Sequence, residues 1–121
     1  MPGITGIIAK TPQKGHRRAL DTMLGGMLRE PFYSSGTSVQ DGLGIYMGWT
    51  CHQGSFCDGM PVTNEERDIV LVLFGEVHVE RDVTDRLKGR GHLFTRDDAS
   101  CLVHWYEEEG DGMFRQLNGW F

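Results

Sequence analysis

Apolar residues recur along this chain with more than one period. From Ile4 to Lys10, small and branched residues with Gly3 and Gly6 among them predict a strand that lies close against a neighbour. Thr11-Pro12 ends it. Ala19, Leu20, Met23, Leu24, Met27 and Leu28 then recur with the spacing of one helical face, stopping before Pro31. Ser34 to Ser38 has the composition of a loop, whereas Leu43 to Trp49, and less regularly on to Phe56, predicts extended chain interrupted at Gly48 and Gly54. Ile69-Val70-Leu71-Val72-Leu73-Phe74 is an unbroken apolar run, the pattern of a strand covered on both faces, and is expected at the centre of a sheet.

Beyond Gly75-Glu76 the pattern turns helical again. Glu80 to Gly89 is polar enough for a short exposed helix, and Ala99 to Glu109 suits a longer one with Leu102, Val103, Trp105 and Tyr106 facing a core. Asp97 or Asp98 is the expected cap, because a carboxylate there accepts free backbone N–H groups at the positive helix end. Gly110 is the expected stop. Met113 to Leu117 adds one more turn, and Asn118-Gly119 turns the chain into Trp120-Phe121, residues of strand type.

Composition narrows the function classes. At 121 residues the chain has the length of a single small domain, here 1–121, and its 39% hydrophobic content supplies a core. Seventeen acidic against twelve basic side chains, with no basic run, argue against a nucleic-acid partner. No apolar stretch nears the roughly 20 residues that span a bilayer, and the first residues lack a secretory pattern. No membrane association and a cytoplasmic location are therefore expected. Cys51, Cys57 and Cys101 are odd in number, so reduced thiols are expected rather than a disulfide framework.

Four segments in order carry a resemblance. Met1-Pro2-Gly3-Ile4-Thr5-Gly6, Phe74-Gly75-Glu76-Val77, Asp98 ahead of a helix ending Tyr106-Glu107-Glu108-Glu109-Gly110, and Leu117-Asn118-Gly119-Trp120-Phe121 are spaced along the whole chain. Together they resemble the class II glutamine amidotransferase domain of asparagine synthetases. The resemblance implies an α+β fold, an N-terminal nucleophile hydrolase-like αββα sandwich of two mostly antiparallel sheets, incomplete at its C-terminal end. It also implies that Trp120-Phe121 begins a strand beside the N-terminal one, and that the open sheet favours a homo-oligomer.

The same resemblance assigns roles. The family's nucleophile is a terminal cysteine thiol whose own α-amino group is the base. This chain has Pro2 there, which carries no thiol. The family's oxyanion hole pairs the backbone N–H at Gly75 with an asparagine amide where Phe74 stands, and losing one such donor costs roughly 10²–10³ in rate. Counting back from Pro61 puts Trp49 where the family has an arginine for the glutamine α-carboxylate. Glu76 and Asp98 match the carboxylates that hold the α-amino group. A vestigial pocket of Trp49, Phe74, Gly75, Glu76 and Asp98 is thus expected, without catalytic residues. Structural readings stand beside these: Glu76 as a solvated acid, Asp98 as a helix cap, Phe74 and Trp49 as apolar infill, and Pro2 as a terminal pin or, alternatively, as an amine base.

The reading that follows is a glutaminase-like scaffold module of an ATP-dependent, amide-forming enzyme. Its expected partner is a synthetase domain or chain that holds ATP and magnesium, as in cysteine-less relatives such as β-lactam synthetases and lasso peptide cyclases. No cofactor is expected on this chain, which has no Ser-Gly-Gly-x-Asp segment, and Gly25-Gly26 lacks the residues of a phosphate loop. Two alternatives remain open: residual amide hydrolysis or proton transfer at Pro2, and binding of a small amine or peptide. No metal site is expected, because Cys51-His52 with Cys57 does not have a familiar ligand spacing. His78, His92 and His104 are expected as scattered surface or half-buried residues, and Cys101 as core.

Overall fold

The computed structural model describes residues 2–94 and 99–121. The first strand, β1 (Gly3–Ile8), is followed by helix α1 (Lys14–Met27), strand β2 (Tyr33–Gln40), a one-turn 3-10 helix at Asp41–Leu43 and strand β3 (Ile45–His52). Both neighbours run antiparallel to β3, from Gly3 opposite Thr50 to Ile8 opposite Ile45 on one side, and from Tyr33 opposite His52 to Gln40 opposite Ile45 on the other. The order β1-β3-β2 leaves β1 and β2 as edges. Leu20 and Leu24 of α1, one turn apart on the same face, are buried together with Tyr46.

The centre of this sheet is β3, where Tyr46 and the residues from Gly48 to Cys51 are all buried. The apolar run from Ile69 to Phe74 does not take that place. Only Val70–Leu71 forms a strand, β5, against the two-residue β4 (Val62–Thr63), and every side chain of the run is half-buried. An apolar run reports that side chains leave water, not that both backbone edges find partners. A second correction concerns Ser34 to Ser38, expected as loop but lying within β2. Its central glycine is a poor strand former, yet the whole segment is hydrogen-bonded along β3. Gly36 is suited to this strand, because a Cβ there would run into the indole of Trp49 across the ladder.

The rest of the chain builds a second core. Strand β6 (Glu76–His78) leads to α2 (Arg81–Gly89) and α3 (Ser100–Glu109), then a 3-10 segment at Gly110–Arg115 and strand β7 (Asn118–Trp120). Gly110 ends α3 with a positive φ of 55°, as expected. Val83 and Leu87 of α2 join Cys101, Leu102 and Trp105 of α3 in one buried cluster that also reaches Trp49, Cys51 and Cys57. Strand β7 pairs antiparallel with β6, Glu76 opposite Trp120 and His78 opposite Asn118. That overturns the expectation of a final strand beside β1, and it places Asn118-Gly119 inside the ladder rather than in a turn. The fold is α+β, with three helices and several antiparallel sheets among the described residues. The helix cap expected of Asp97 or Asp98 and the substrate contact expected of Asp98 lie outside those residues.

Candidate functional site

Gly75 decides the local geometry at the start of β6. Its φ is 118°, and a Cβ at this position would collide with the Trp120 carbonyl oxygen where β7 crosses. The chain can therefore bring Phe74, Gly75 and Glu76 up against Trp120 only with glycine at the centre. Beside them lies a cavity of about 230 Å³ lined by Pro2, His52, Ser55, Phe56, Cys57, Phe74, Gly75, Glu76 and Trp120. Four of the expected residues, Pro2, Phe74, Gly75 and Glu76, thus share one cavity. Trp49 does not line it; its indole is buried over Gly36 in the core.

The walls of this cavity are aromatic. Phe74 meets Trp120 edge to face at 5.9 Å, and the His52 ring stacks on Phe32 at 5.7 Å with Tyr33 edge-on at 5.0 Å. Ser55 Oγ donates to the His52 carbonyl at 2.7 Å and lies 3.6 Å from Cys57 Sγ. Glu76 is exposed, and it also lines an open groove of about 510 Å³ along β6 and β7. All three cysteines are buried, and none forms a disulfide among the described residues. Burial, with the Asp58 carboxylate and Cys57 nearby, pushes the Cys51 thiol above its ordinary value, so it stays protonated and unreactive at neutral pH.

Sequence reasoning missed a polar cluster on α3. His92, in the segment after α2, and His104 of α3 approach with ring centroids 4.8 Å apart, so they are not scattered. His104 Nδ1 lies 2.9 Å from Glu107 Oε2, and His92 Nδ1 lies 3.6 Å from the same oxygen. Asn64, itself buried, donates from Nδ2 to Glu107 Oε1 at 2.7 Å and to Asp68 at 2.6 Å, while its Oδ1 accepts the backbone N–H of Asp68 and Ile69. Burial alone would raise the Glu107 carboxyl, but the hydrogen bonds from Asn64 and His104 outweigh it and hold the group below its ordinary value. Glu108 is likewise held low, chiefly by its hydrogen bond with His92. The sequence carried one signal: His104 and Glu107 are three apart on a helix and share a face.

Comparison with known proteins finds a partial similarity. Sixty-two residues are 32% identical to the asparagine synthetase [glutamine-hydrolyzing] of Sandersonia aurantiaca, covering 50% of this chain and 11% of that protein. Sixty-one residues are 30% identical to the nodule asparagine synthetase [glutamine-hydrolyzing] of Pisum sativum, covering 50% and 10%. The similarity to asparagine synthetases is partial. The matched part of the chain spans about a tenth of the length of these curated relatives. No family model and no solved structure matches. Among the described residues, no helix is long and apolar enough to cross a membrane.

Proposed function

We propose that this chain is a cytoplasmic, glutamine amidotransferase-like module of an asparagine synthetase-type amide-forming enzyme, in which glutamine hydrolysis has been lost and a scaffolding role kept. The single observation that carries the proposal is the cavity shared by Pro2, Phe74, Gly75 and Glu76. It joins the beginning of the chain to the Gly-Glu segment, as an N-terminal nucleophile site requires, and the partial similarity to glutamine-hydrolysing synthetases supports the same reading. The loss follows from side-chain chemistry. Thioester formation needs a thiol at the position of Pro2, and the tetrahedral intermediate needs a second donor beside the Gly75 N–H, where Phe74 offers only a ring.

ATP and magnesium belong, in this reading, to a synthetase domain or chain as partner, since the residues of this chain offer triphosphate no cradle. The β1 edge supplies a surface for association. Ile4 is 56% and Ile8 88% exposed beside a groove that also takes in Ile45, Met47 and Val72. Sedimentation at micromolar concentration is expected to show a dimer or larger species. A monomer at all concentrations would remove the homo-oligomer from the proposal.

The functional test is ammonia release from glutamine, expected not to exceed the buffer control. Release that is abolished by blocking the N-terminal amine would instead favour the second reading, a proton-transfer site built on Pro2. Glu76, lining both the cavity and the open groove, favours a related variant in which the module binds a small amine. Calorimetry with small amines, in the parent chain and in Glu76→Gln, distinguishes that variant from a pure scaffold.

A further inference from the structure

The cluster on α3 has the composition and geometry of a metal site that neither the resemblance nor the related proteins assign. His92, His104 and Glu107 each present a ligand atom within 4.8 Å of the others. Two ligands on a tetrahedral Zn²⁺, with bonds of about 2.0–2.2 Å, lie roughly 3.3 Å apart. The separations of Glu107 Oε2 from His104 Nδ1 and from His92 Nδ1, 2.9 and 3.6 Å, bracket that value. The three groups converge on one region, and a separation of up to 4.8 Å among their ligand atoms contracts when they share one ion.

In the metal-free chain His104 Nδ1 donates to Glu107 Oε2, and an ion entering between them displaces that proton. His92 Nε2 lies 2.9 Å from Glu108 Oε1, and a carboxylate only accepts, so this nitrogen donates to Glu108 and Nδ1 is the nitrogen turned toward Glu107. Asn64 holds the other oxygen of Glu107, which leaves Oε2 to face both imidazoles. Phe94 stacks on the His104 ring at 5.8 Å, and His104 is only 4% exposed. Glu65 Oε2, 3.7 Å from His104 Nδ1, stands on a mostly exposed side chain that can swing in as a fourth ligand. Charge points the same way, since the carboxylates of Glu65, Glu107 and Glu108 all lie against the two imidazoles, with Arg90 paired to Glu108.

We propose that His92, His104 and Glu107 bind a divalent ion of the zinc class, with Glu65 or water completing the coordination. The imidazole and carboxylate donors suit a borderline ion such as Zn²⁺ or Co²⁺ and exclude the all-oxygen shell that Ca²⁺ takes. The ion ties the segment after α2 to α3, and through Asn64 to the turn between β4 and β5. The site is separate from the cavity beside Pro2, and it stands whether or not that cavity ever held glutamine.

Calorimetric titration of the tag-free chain with Zn²⁺ is expected to show one saturable equivalent, and Zn²⁺ to raise the thermal midpoint. His92→Gln, in a partly exposed segment, should keep the fold by circular dichroism and lose affinity at least about tenfold. Asn64→Ala frees the carboxylate it orients and should weaken binding about 10–100-fold. The Cys51→Ser/Cys57→Ser variant should bind as the parent does, and the Co²⁺ adduct should show d–d absorption without a thiolate charge-transfer band. Absence of saturable binding overturns the proposal. So does binding that survives His92→Gln unchanged, or binding that the cysteine substitutions abolish.

Discussion

The cavity beside Pro2 and the cluster on α3 each set a glutamate among rings, Glu76 beside Phe74 and Trp120 and Glu107 beside two imidazoles, with opposite results. Around the cavity the space is filled by Phe56, Phe74 and Trp120, and the Glu76 carboxylate has no hydrogen bond or ion pair among the described residues. On α3, Glu107 accepts from Asn64 and His104, Asn64 in turn holds Asp68, and Glu108 bonds both His92 and Arg90. Aromatic infill stabilises by burial and needs no partner, whereas polar groups half out of water persist only when each is satisfied. The position that the resemblance singles out therefore has the weaker chemistry, and the position it leaves unassigned has the stronger.

Gly75→Ala tests the cavity side most severely. Its backbone conformation is strained for any L side chain, and the new methyl would meet the Trp120 carbonyl, so the β6–β7 ladder should open at a cost of about 3 kcal/mol or more. Denaturant unfolding measures the loss, and retention of Zn²⁺ binding by the folded fraction would show that the two regions are independent. A smaller effect is expected on the other side. Asn64→Ala leaves two backbone N–H groups and two carboxylates short of a partner, and should cost about 2 kcal/mol in the same assay. A loss near zero would mean that the cluster is held by packing alone.

The smallest effect belongs to an ion pair in neither region. Hydrogen bonds from Arg17 and Tyr46 hold the Asp41 carboxyl below its ordinary value. A lowered carboxyl contributes stability that is complete above its unfolded value of about 3.9 and vanishes as pH falls through the lower folded value. Asp41→Asn should therefore leave the urea midpoint nearly unchanged at acid pH and lower it only slightly at neutral pH, because both side chains of the pair are more than half exposed. This sets the scale of an exposed pair against which the Asn64 result is read.

How much of this was legible in the sequence differs between the regions in the same way. The face of α1 with Leu20 and Leu24, the core side of α3 and its stop at Gly110 follow from local periodicity and capping, which a sequence displays directly. The order of strands does not. Tyr33–Gln40 becomes a strand because β3 offers it a partner, and the run from Ile69 to Phe74 fails to become a central one because no long partner lies beside it. For the candidate site, the spaced motifs select Pro2, Phe74, Gly75 and Glu76, which line one cavity, and also Trp49, which does not line it. The meeting of His92 with His104 depends on how the segment after α2 is laid over α3, and no spacing in the sequence encodes that contact.

The central claim is that the cavity beside Pro2 has the place of a glutamine site without its chemistry. Pro2→Cys tests it most directly, because it supplies the thiol and leaves Phe74 in place of the second oxyanion donor. Ammonia release from glutamine by the folded Pro2→Cys variant should remain at the level of the buffer control, and only the added Phe74→Asn exchange could raise it. Appreciable turnover by Pro2→Cys alone would contradict the account, since it would mean that the cavity still stabilises the tetrahedral intermediate with the residues it has.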